Sequence, residues 1–116
     1  MSSSISRRTV IAGGLATAVA LTLVACGSKT GLTEKGGVTT ISIGASPQPH
    51  AAILKWVQDN LTEGTGIKLD IVTINDYQTP NASLNDGSLA ANFFQTPNFL
   101  EQQNKDKGYD LVSIAD

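Results

Sequence analysis

Strand-like and helix-like segments alternate in the middle of the sequence, and this order leaves few folds open to the chain. Residues 38–44 are rich in β-branched side chains, which favour a strand, and residues 67–74 form a second such segment. Residues 51–63 lie between them and carry an apolar side chain at every fourth position from Ile53 to Leu61, as an amphipathic helix does. Two strands joined through a helix are parallel, so this part of the chain is predicted to be a βαβ unit.

The alternation continues toward the end of the sequence. The predicted elements are a short helix between Thr79-Pro80 and Gly87, a strand over 89–94, a helix from near Asn98 to Gly108, and a strand over 109–114. Threonine followed by proline is typical of a helix start, the spacing of Asn98 and Glu101 is that of a capping box, and glycine ends helices. The order β-α-β-α-β-α-β predicts the α/β class, with an open sheet in a three-layer α/β/α lobe.

In an open parallel sheet, ligands bind beyond the carboxyl ends of the strands. Three loops would lie there, namely 45–50, 75–79 and 94–98. In or beside them are most of the chain's ring-bearing side chains: His50, Tyr77, Phe93, Phe94 and Phe99. Such a cluster suits a small, partly apolar solute. The alternative that Phe93 and Phe99 only fill the core stays open on sequence grounds.

Catalytic and nucleic-acid functions find little support. Ser46 lies in Gly-Ala-Ser-Pro-Gln, which lacks the final glycine of a nucleophile elbow, and the sequence has only one histidine, His50, and one cysteine, Cys26. A lone histidine beside a helix start more often caps or packs, so a cell-envelope hydrolase is a remote alternative. The lysines are scattered and form no basic stripe. We therefore predict no enzyme, no cofactor, no metal and no nucleic-acid partner.

The first 25 residues have the pattern of an export signal. Arg7 and Arg8 precede an apolar stretch over 10–25, which ends in Leu-Val-Ala directly before Cys26. This order resembles a bacterial lipoprotein signal peptide, with Cys26 as the residue that receives the lipid. An uncleaved membrane helix is the alternative, but the stretch is shorter than the ~20 residues that span a bilayer. The arginine pair also resembles a twin-arginine signal, so the export route stays open.

Lipidation predicts a mature chain that is tethered to the cell membrane and not embedded in it. Acyl chains such as palmitate would anchor it on the outer, extracytoplasmic face. Residues 26–37 are rich in glycine, serine, threonine and lysine and predict a flexible, disordered tether. Residues 38–116 are enough for one small α/β lobe and not for two.

Short motifs then occur in a recognisable order: Gly-Ala-Ser-Pro-Gln-Pro-His from Gly44, Asp76-Tyr77, Pro80-Asn81, Asp86-Gly87, Asn92-Phe93-Phe94-Gln95, and Lys107-Gly108-Tyr109-Asp110. Together they resemble the NlpA-type lipoproteins, the substrate-binding proteins of methionine ABC importers. The resemblance covers residues 38–116. It implies a type 2 periplasmic-binding-protein fold, in which two α/β lobes close over a solute; this chain would be the N-terminal lobe, with the second lobe missing.

The resemblance also implies ligand-binding residues and partners. The family's aromatic contacts fall on Tyr77 and Phe94, while a histidine and a tyrosine of the family are replaced by Thr96 and Phe99. The implied ligand is methionine or a related amino acid, and the implied partners are an ABC permease and its ATPase. The second lobe supplies the arginine that binds the ligand carboxylate, and no arginine follows Arg8, so we expect weak or undetectable binding by this chain alone. The alternative is a surface lipoprotein fragment with an interaction role or no activity.

Overall fold

A computed structural model describes residues 30–115 of the chain. The predicted signal peptide (1–25), Cys26 and the first part of the predicted tether lie outside these residues. Within 30–115 the elements are, in order, β1 (Leu32–Lys35), β2 (Val38–Ala45), a short helical turn (Pro47–Ala51), α1 (Ala52–Leu61), β3 (Ile67–Thr73), α2 (Thr79–Asn85), β4 (Ala91–Phe93) and α3 (Pro97–Lys107).

Strand β2 is the centre of the sheet. Strand β3 pairs with it in parallel along one edge, from Thr39 opposite Ile67 to Ala45 opposite Thr73. The other edge of β2 is shared by two strands placed end to end, the antiparallel β1 and the parallel β4. The predicted βαβ unit is therefore confirmed, and helix α1 packs against β3 while α2 packs against β4.

Ser42 of β2 lies at the junction between β1 and β4. Its N–H donates to the carbonyl of Gly31 and its carbonyl accepts from the N–H of Ala90, both at 2.8 Å. Gly31 has a φ of +61°, and a Cβ at this position would lie 2.0 Å from the Ala90 nitrogen. Only glycine fits here, because any side chain would collide with the backbone of Leu89 and Ala90, the residues that lead into β4.

Strand β1 lies inside the segment predicted to be a disordered tether, so that prediction is wrong over Leu32–Lys35. Gly36 and Gly37 both have positive φ and connect Lys35 to its partner Val38 as a two-residue hairpin turn. A pair of glycines is a known signal for such a turn. The strand itself carries no apolar alternation and is exposed throughout, which is why its composition suggested a tether.

The strand predicted over 109–114 is absent from the described residues, which have no regular structure there. The side chain of Asn104 on α3 binds both main-chain groups of Leu111: its Nδ2 donates to the Leu111 carbonyl at 2.7 Å, and its Oδ1 accepts from the Leu111 N–H at 3.2 Å. These groups are consequently unavailable for strand pairing. Val112 and Ile114 remain 76% and 88% exposed.

The buried apolar side chains lie at the carboxyl end of the sheet, where Ala45, Leu89 and Phe94 form the core of the described residues. Helix α1 is only partly covered. Ile53 and Leu61 of its predicted apolar face are exposed, while Leu54 and Val57 on the same face are half-buried. The main-chain N–H of Leu69 donates to the side chain of Gln58 and so links β3 to α1. None of the helices within 30–115 combines the length and apolarity needed to cross a bilayer.

Candidate ligand-binding site

The three predicted loops lie at one edge of the sheet. Strands β2, β3 and β4 are parallel and end at Ala45, Thr73 and Phe93. The segments that follow them therefore leave the sheet on the same side, where open α/β sheets bind ligands.

Tyr77, Phe94 and Phe99 come together at this edge, and we call them the aromatic triangle. The ring centroids of Tyr77 and Phe94 are 6.4 Å apart with an interplanar angle of 28°, and Phe99 meets both rings edge-on at 6.3 and 5.9 Å. These separations are those of favourable aromatic pairs. Phe94 is buried whereas Tyr77 is 67% exposed, so the triangle is anchored at one corner and open to solvent at another.

His50 and Phe93 form a separate pair and do not join the triangle. Their ring centroids are 4.5 Å apart with the planes perpendicular, and His50 Nδ1 is hydrogen-bonded to the hydroxyl of Ser46. Neighbouring strand residues point to opposite faces of a sheet, so Phe93 faces away from the side of Phe94. The predicted single cluster is thus two clusters.

Ser46 and His50 are in contact through their side chains. A serine–histidine pair needs a third group that orients the base, and no carboxylate of the described residues is bonded to the other ring nitrogen of His50. His50 packs edge-on against Phe93 and is hydrogen-bonded to the Ser46 side chain. Residues 30–115 also contain no group of three histidine, cysteine or carboxylate side chains arranged to hold a metal.

Thr96, a predicted ligand-binding residue, is the N-cap of helix α3. Its Oγ1 accepts the N–H of Phe99 at 3.4 Å, and Pro97 follows as the first helical residue. The capping-box spacing predicts Asn98 as the cap of this helix, and that prediction is wrong by two residues. The Thr96 proton is not used by the cap, so the hydroxyl retains a donor that it can offer to a ligand.

Asp76 holds the loop that carries Tyr77. Its carboxylate accepts the N–H groups of Thr79 at 2.7 Å and Gln78 at 2.9 Å. These bonds lower the pKa of the Asp76 carboxyl below its ordinary value of 3.8, and the bond from Thr79 has the largest effect. The start of helix α2 is fixed in this way although Gln78, its N-cap residue, makes no side-chain cap. The Thr79-Pro80 pair predicts a cap at Thr79, which is one residue later than the observed N-cap.

Three side-chain amides join the segments that carry Tyr77 and Phe94, and we call Asn81, Asn92 and Gln95 the amide cluster. Asn81 is completely buried, and its Oδ1 accepts from Asn92 at 2.9 Å and from Gln95 at 2.8 Å. Asn81 Nδ2 donates to Gln95 Oε1 at 2.7 Å, and Asn92 Nδ2 also donates to the carbonyl of Pro80 at 3.1 Å. In the sequence these amides are part of the family motifs, and no pattern there predicts a role for them.

A groove of about 560 Å³ runs beside the free edge of β4. Its walls are β4, the start of α3 and residues 110–115. Phe94 and Thr96 line it, but Tyr77 and Phe99 do not. The groove and the aromatic triangle are therefore neighbouring features that share one wall.

Comparison with known proteins places the chain in a family. The profile of the NlpA lipoprotein family matches residues 41–116. The D-methionine-binding lipoprotein MetQ of Yersinia pestis is 38% identical over 95 residues, which are 82% of this chain and 33% of that protein. Among solved structures, a lipoprotein of Actinomyces odontolyticus has 54% identity and a TM-score of 0.60 over 61% of this chain and 30% of its own. The nutrient-binding protein of Burkholderia cenocepacia bound to methionine has 37% identity and a TM-score of 0.60 over 63% and 30%.

These similarities confirm the predicted fold class, a mixed α/β open sheet of the kind found in substrate-binding proteins. The chain spans about a third of the length of the curated relatives it matches. The resemblance noted in the sequence is confirmed, and the chain belongs to the NlpA lipoprotein family.

Proposed function

We propose that this chain forms one wall of the ligand site of a substrate-binding lipoprotein that serves an ABC importer for methionine or a related amino acid. The observation that carries the proposal is the aromatic triangle, at the edge of the sheet where such folds bind ligands, in a member of this family. A binding role, and not a catalytic one, follows from this reading.

The chemistry of the triangle fits a thioether or another slender apolar side chain. Sulfur makes favourable contacts with aromatic rings, and Tyr77 and Phe99 offer ring surface beside the buried Phe94. The amino and carboxylate ends of an amino acid would need charged or amide partners as well. The proposed site residues are Tyr77, Phe94, Thr96 and Phe99.

Binding by this chain alone is expected to be weak. No arginine follows Arg8, so no bidentate partner for a carboxylate is present in the chain beyond that point. Each hydrogen bond to a charged group contributes about 1.5–3 kcal/mol, and several are missing when one wall acts alone. We expect a dissociation constant on the order of 1 mM or weaker, which corresponds to about 4 kcal/mol of binding free energy.

Ligand-observed NMR on the purified chain tests the proposal. Saturation should be transferred to the S-methyl protons of L- or D-methionine. It should not be transferred to the side-chain protons of glutamate at the same concentration. Tyr77→Ala should abolish the transfer, and Trp56→Ala is the matched control because Trp56 is also an exposed aromatic residue, 58% against 67%. Equal signals from methionine and glutamate, or no loss in Tyr77→Ala, would contradict the proposal.

The relatives are named lipoproteins, and we propose the same attachment here. Residues 1–25 would be the signal peptide and Cys26 the lipidated residue, with the chain on the extracytoplasmic face next to the permease and its ATPase. Fractionation of expressing cells tests this step. Wild-type chain should stay with the membrane after a salt wash, whereas Cys26→Ser should be released; identical partition of the two would argue against a lipid anchor.

The second candidate is a surface lipoprotein fragment with an interaction role or no activity. The open groove beside β4 and the exposed side chains of Val112 and Ile114 favour it. Failure of methionine transfer together with intact folding would leave this candidate in place.

A further inference from the structure

We propose that Asn81, Asn92 and Gln95 are positioning residues: the amide cluster holds Phe94 opposite Tyr77 and thereby sets the shape of the apolar wall. The use of that wall for a ligand depends on the proposed function. The positioning itself does not, and it can be tested without any ligand.

The cluster joins three separate segments. Asn81 comes from helix α2, Asn92 from strand β4 and Gln95 from the loop that follows β4. Asn81 and Gln95 bind each other reciprocally, with one amide-to-carbonyl hydrogen bond in each direction at 2.7 and 2.8 Å. Gln95 Nε2 also donates to Asn92 Oδ1 at 3.2 Å, so each pair within the cluster is bonded directly.

The cluster is placed so that it controls the two rings. Asn92 and Gln95 lie on either side of the Phe93-Phe94 pair, and both are bonded to the same buried amide of Asn81. Tyr77 precedes Asn81 by one turn, and the Asp76 carboxylate fixes the backbone between them. The loop that carries Tyr77 and leads into α2 is consequently clamped to the segment after β4 that carries Phe94.

Directional bonds give this clamp a property that apolar packing lacks. Asn81 is completely buried and Asn92 and Gln95 are half-buried, so their hydrogen bonds favour the relative placement of the three segments that satisfies every donor and acceptor. Within 30–115 no buried side-chain polar atom lacks a partner, which means that this placement is fully satisfied. If the cluster only stabilised the fold, apolar side chains of similar size would preserve the ring geometry, because replacing all partners together is nearly neutral for stability.

The test is the set of NOE cross-peaks among the rings of Tyr77, Phe94 and Phe99, measured on the full 116-residue chain. The triple variant Asn81→Leu, Asn92→Leu, Gln95→Met removes every amide of the cluster together, so no amide of the cluster is left unpaired. Outside the cluster, the Pro80 carbonyl loses the bond that Asn92 donates. We expect it to fold, as shown by circular dichroism, and to lose the cross-peak between Phe94 and Tyr77. Retention of the wild-type cross-peaks in the folded triple variant would overturn the proposal.

A control variant separates positioning from general stability. Gln58→Met removes another amide that links two elements, since the Gln58 side chain accepts the N–H of Leu69. It should lower the melting temperature but leave the ring cross-peaks as in wild type. Equal loss of the cross-peaks in Gln58→Met would show that they report only on stability, and the proposal would fail.

A conservative variant provides a rescue. In Asn81→Asp the protonated carboxyl can donate to Gln95 Oε1 and also accept, whereas the ionised form only accepts. Burial raises the pKa of a carboxyl, so protonation should restore the pair at mildly acid pH. We expect the cross-peak of Phe94 with Tyr77 to be lost at pH 8 and recovered on acidification, while wild type shows it at both. A cross-peak that does not change with pH in this variant would refute the clamp.

Discussion

Gly31→Ala should destabilise the chain much more than Gly36→Ala, although the two glycines have nearly the same backbone conformation, with φ of +61° and +59°. A left-handed φ costs an alanine about 1–2 kcal/mol at either position. A Cβ on Gly36 would meet nothing within 4 Å, whereas one on Gly31 would lie 2.0 Å from the Ala90 nitrogen and 2.2 Å from the Leu89 carbonyl carbon.

The difference between the two variants can be estimated from the structure. To relieve the collision, the segments that carry Gly31 and Ala90 must move apart, which pulls both away from the N–H and carbonyl of Ser42 that bind them. Loss of these two hydrogen bonds costs about 1 kcal/mol each. Gly36→Ala should therefore cost about 1 kcal/mol and Gly31→Ala about 3 kcal/mol.

Urea unfolding followed by circular dichroism measures both free energies. For a domain of this size, 1 kcal/mol shifts the melting temperature by about 4–8 °C, so the two variants should separate clearly in a thermal scan as well. Equal destabilisation of the two would show that β1 does not meet β4 at Ser42, and the strand assignment within the predicted tether would be wrong.

Further predictions concern the loops of the candidate site. Asp76→Ala should lower the melting temperature at pH 7. The difference in melting temperature from wild type should disappear as pH falls below 3.8 and through the lowered pKa of Asp76, because a carboxyl with a depressed folded-state pKa stabilises only when ionised. A difference that does not depend on pH would contradict the cap. Thr96→Val should cost about 1 kcal/mol in urea unfolding by removing the N-cap, and Thr96→Ser should be close to wild type; equal effects of the two would argue against the cap. Phe94→Ala should cost about 3–5 kcal/mol because Phe94 is buried, while Tyr77→Ala should change stability by less than about 1 kcal/mol because Tyr77 is exposed; the reverse order would show that the triangle is anchored elsewhere.

The parts of the fold that were predictable are those with a strong hydrophobic period. Strand β3 and helix α1 have this property, β2 is rich in β-branched side chains, and the structure places all three within a few residues of the prediction. Strand β1 has no such period, and only the Gly36-Gly37 turn indicates it. Residues 109–114 have strand-like composition, but the side chain of Asn104 is hydrogen-bonded to the main-chain N–H and carbonyl of Leu111. Such a bond cannot be predicted from sequence periodicity.

The placement of the three loops at one edge of the sheet was predictable from the sequence. The arrangement of their side chains was only partly predictable. The separation of Phe93 from Phe94 follows from the alternation of side chains along a strand. The start of α3 at Thr96-Pro97 repeats the signal recognised at Thr79-Pro80, and the capping-box spacing from Asn98 obscured it. The amide cluster was not predictable, because its role depends on three distant segments meeting around one buried side chain, Asn81.

The most direct test of the central claim is the detection of intermolecular NOEs between the S-methyl group of methionine and the chain. The account predicts cross-peaks from this methyl group to ring protons of Tyr77, Phe94 and Phe99, which line the proposed wall. Cross-peaks to Leu111 and Ile114 in the groove, or to Trp56 on α1, with none to the aromatic triangle, would contradict it.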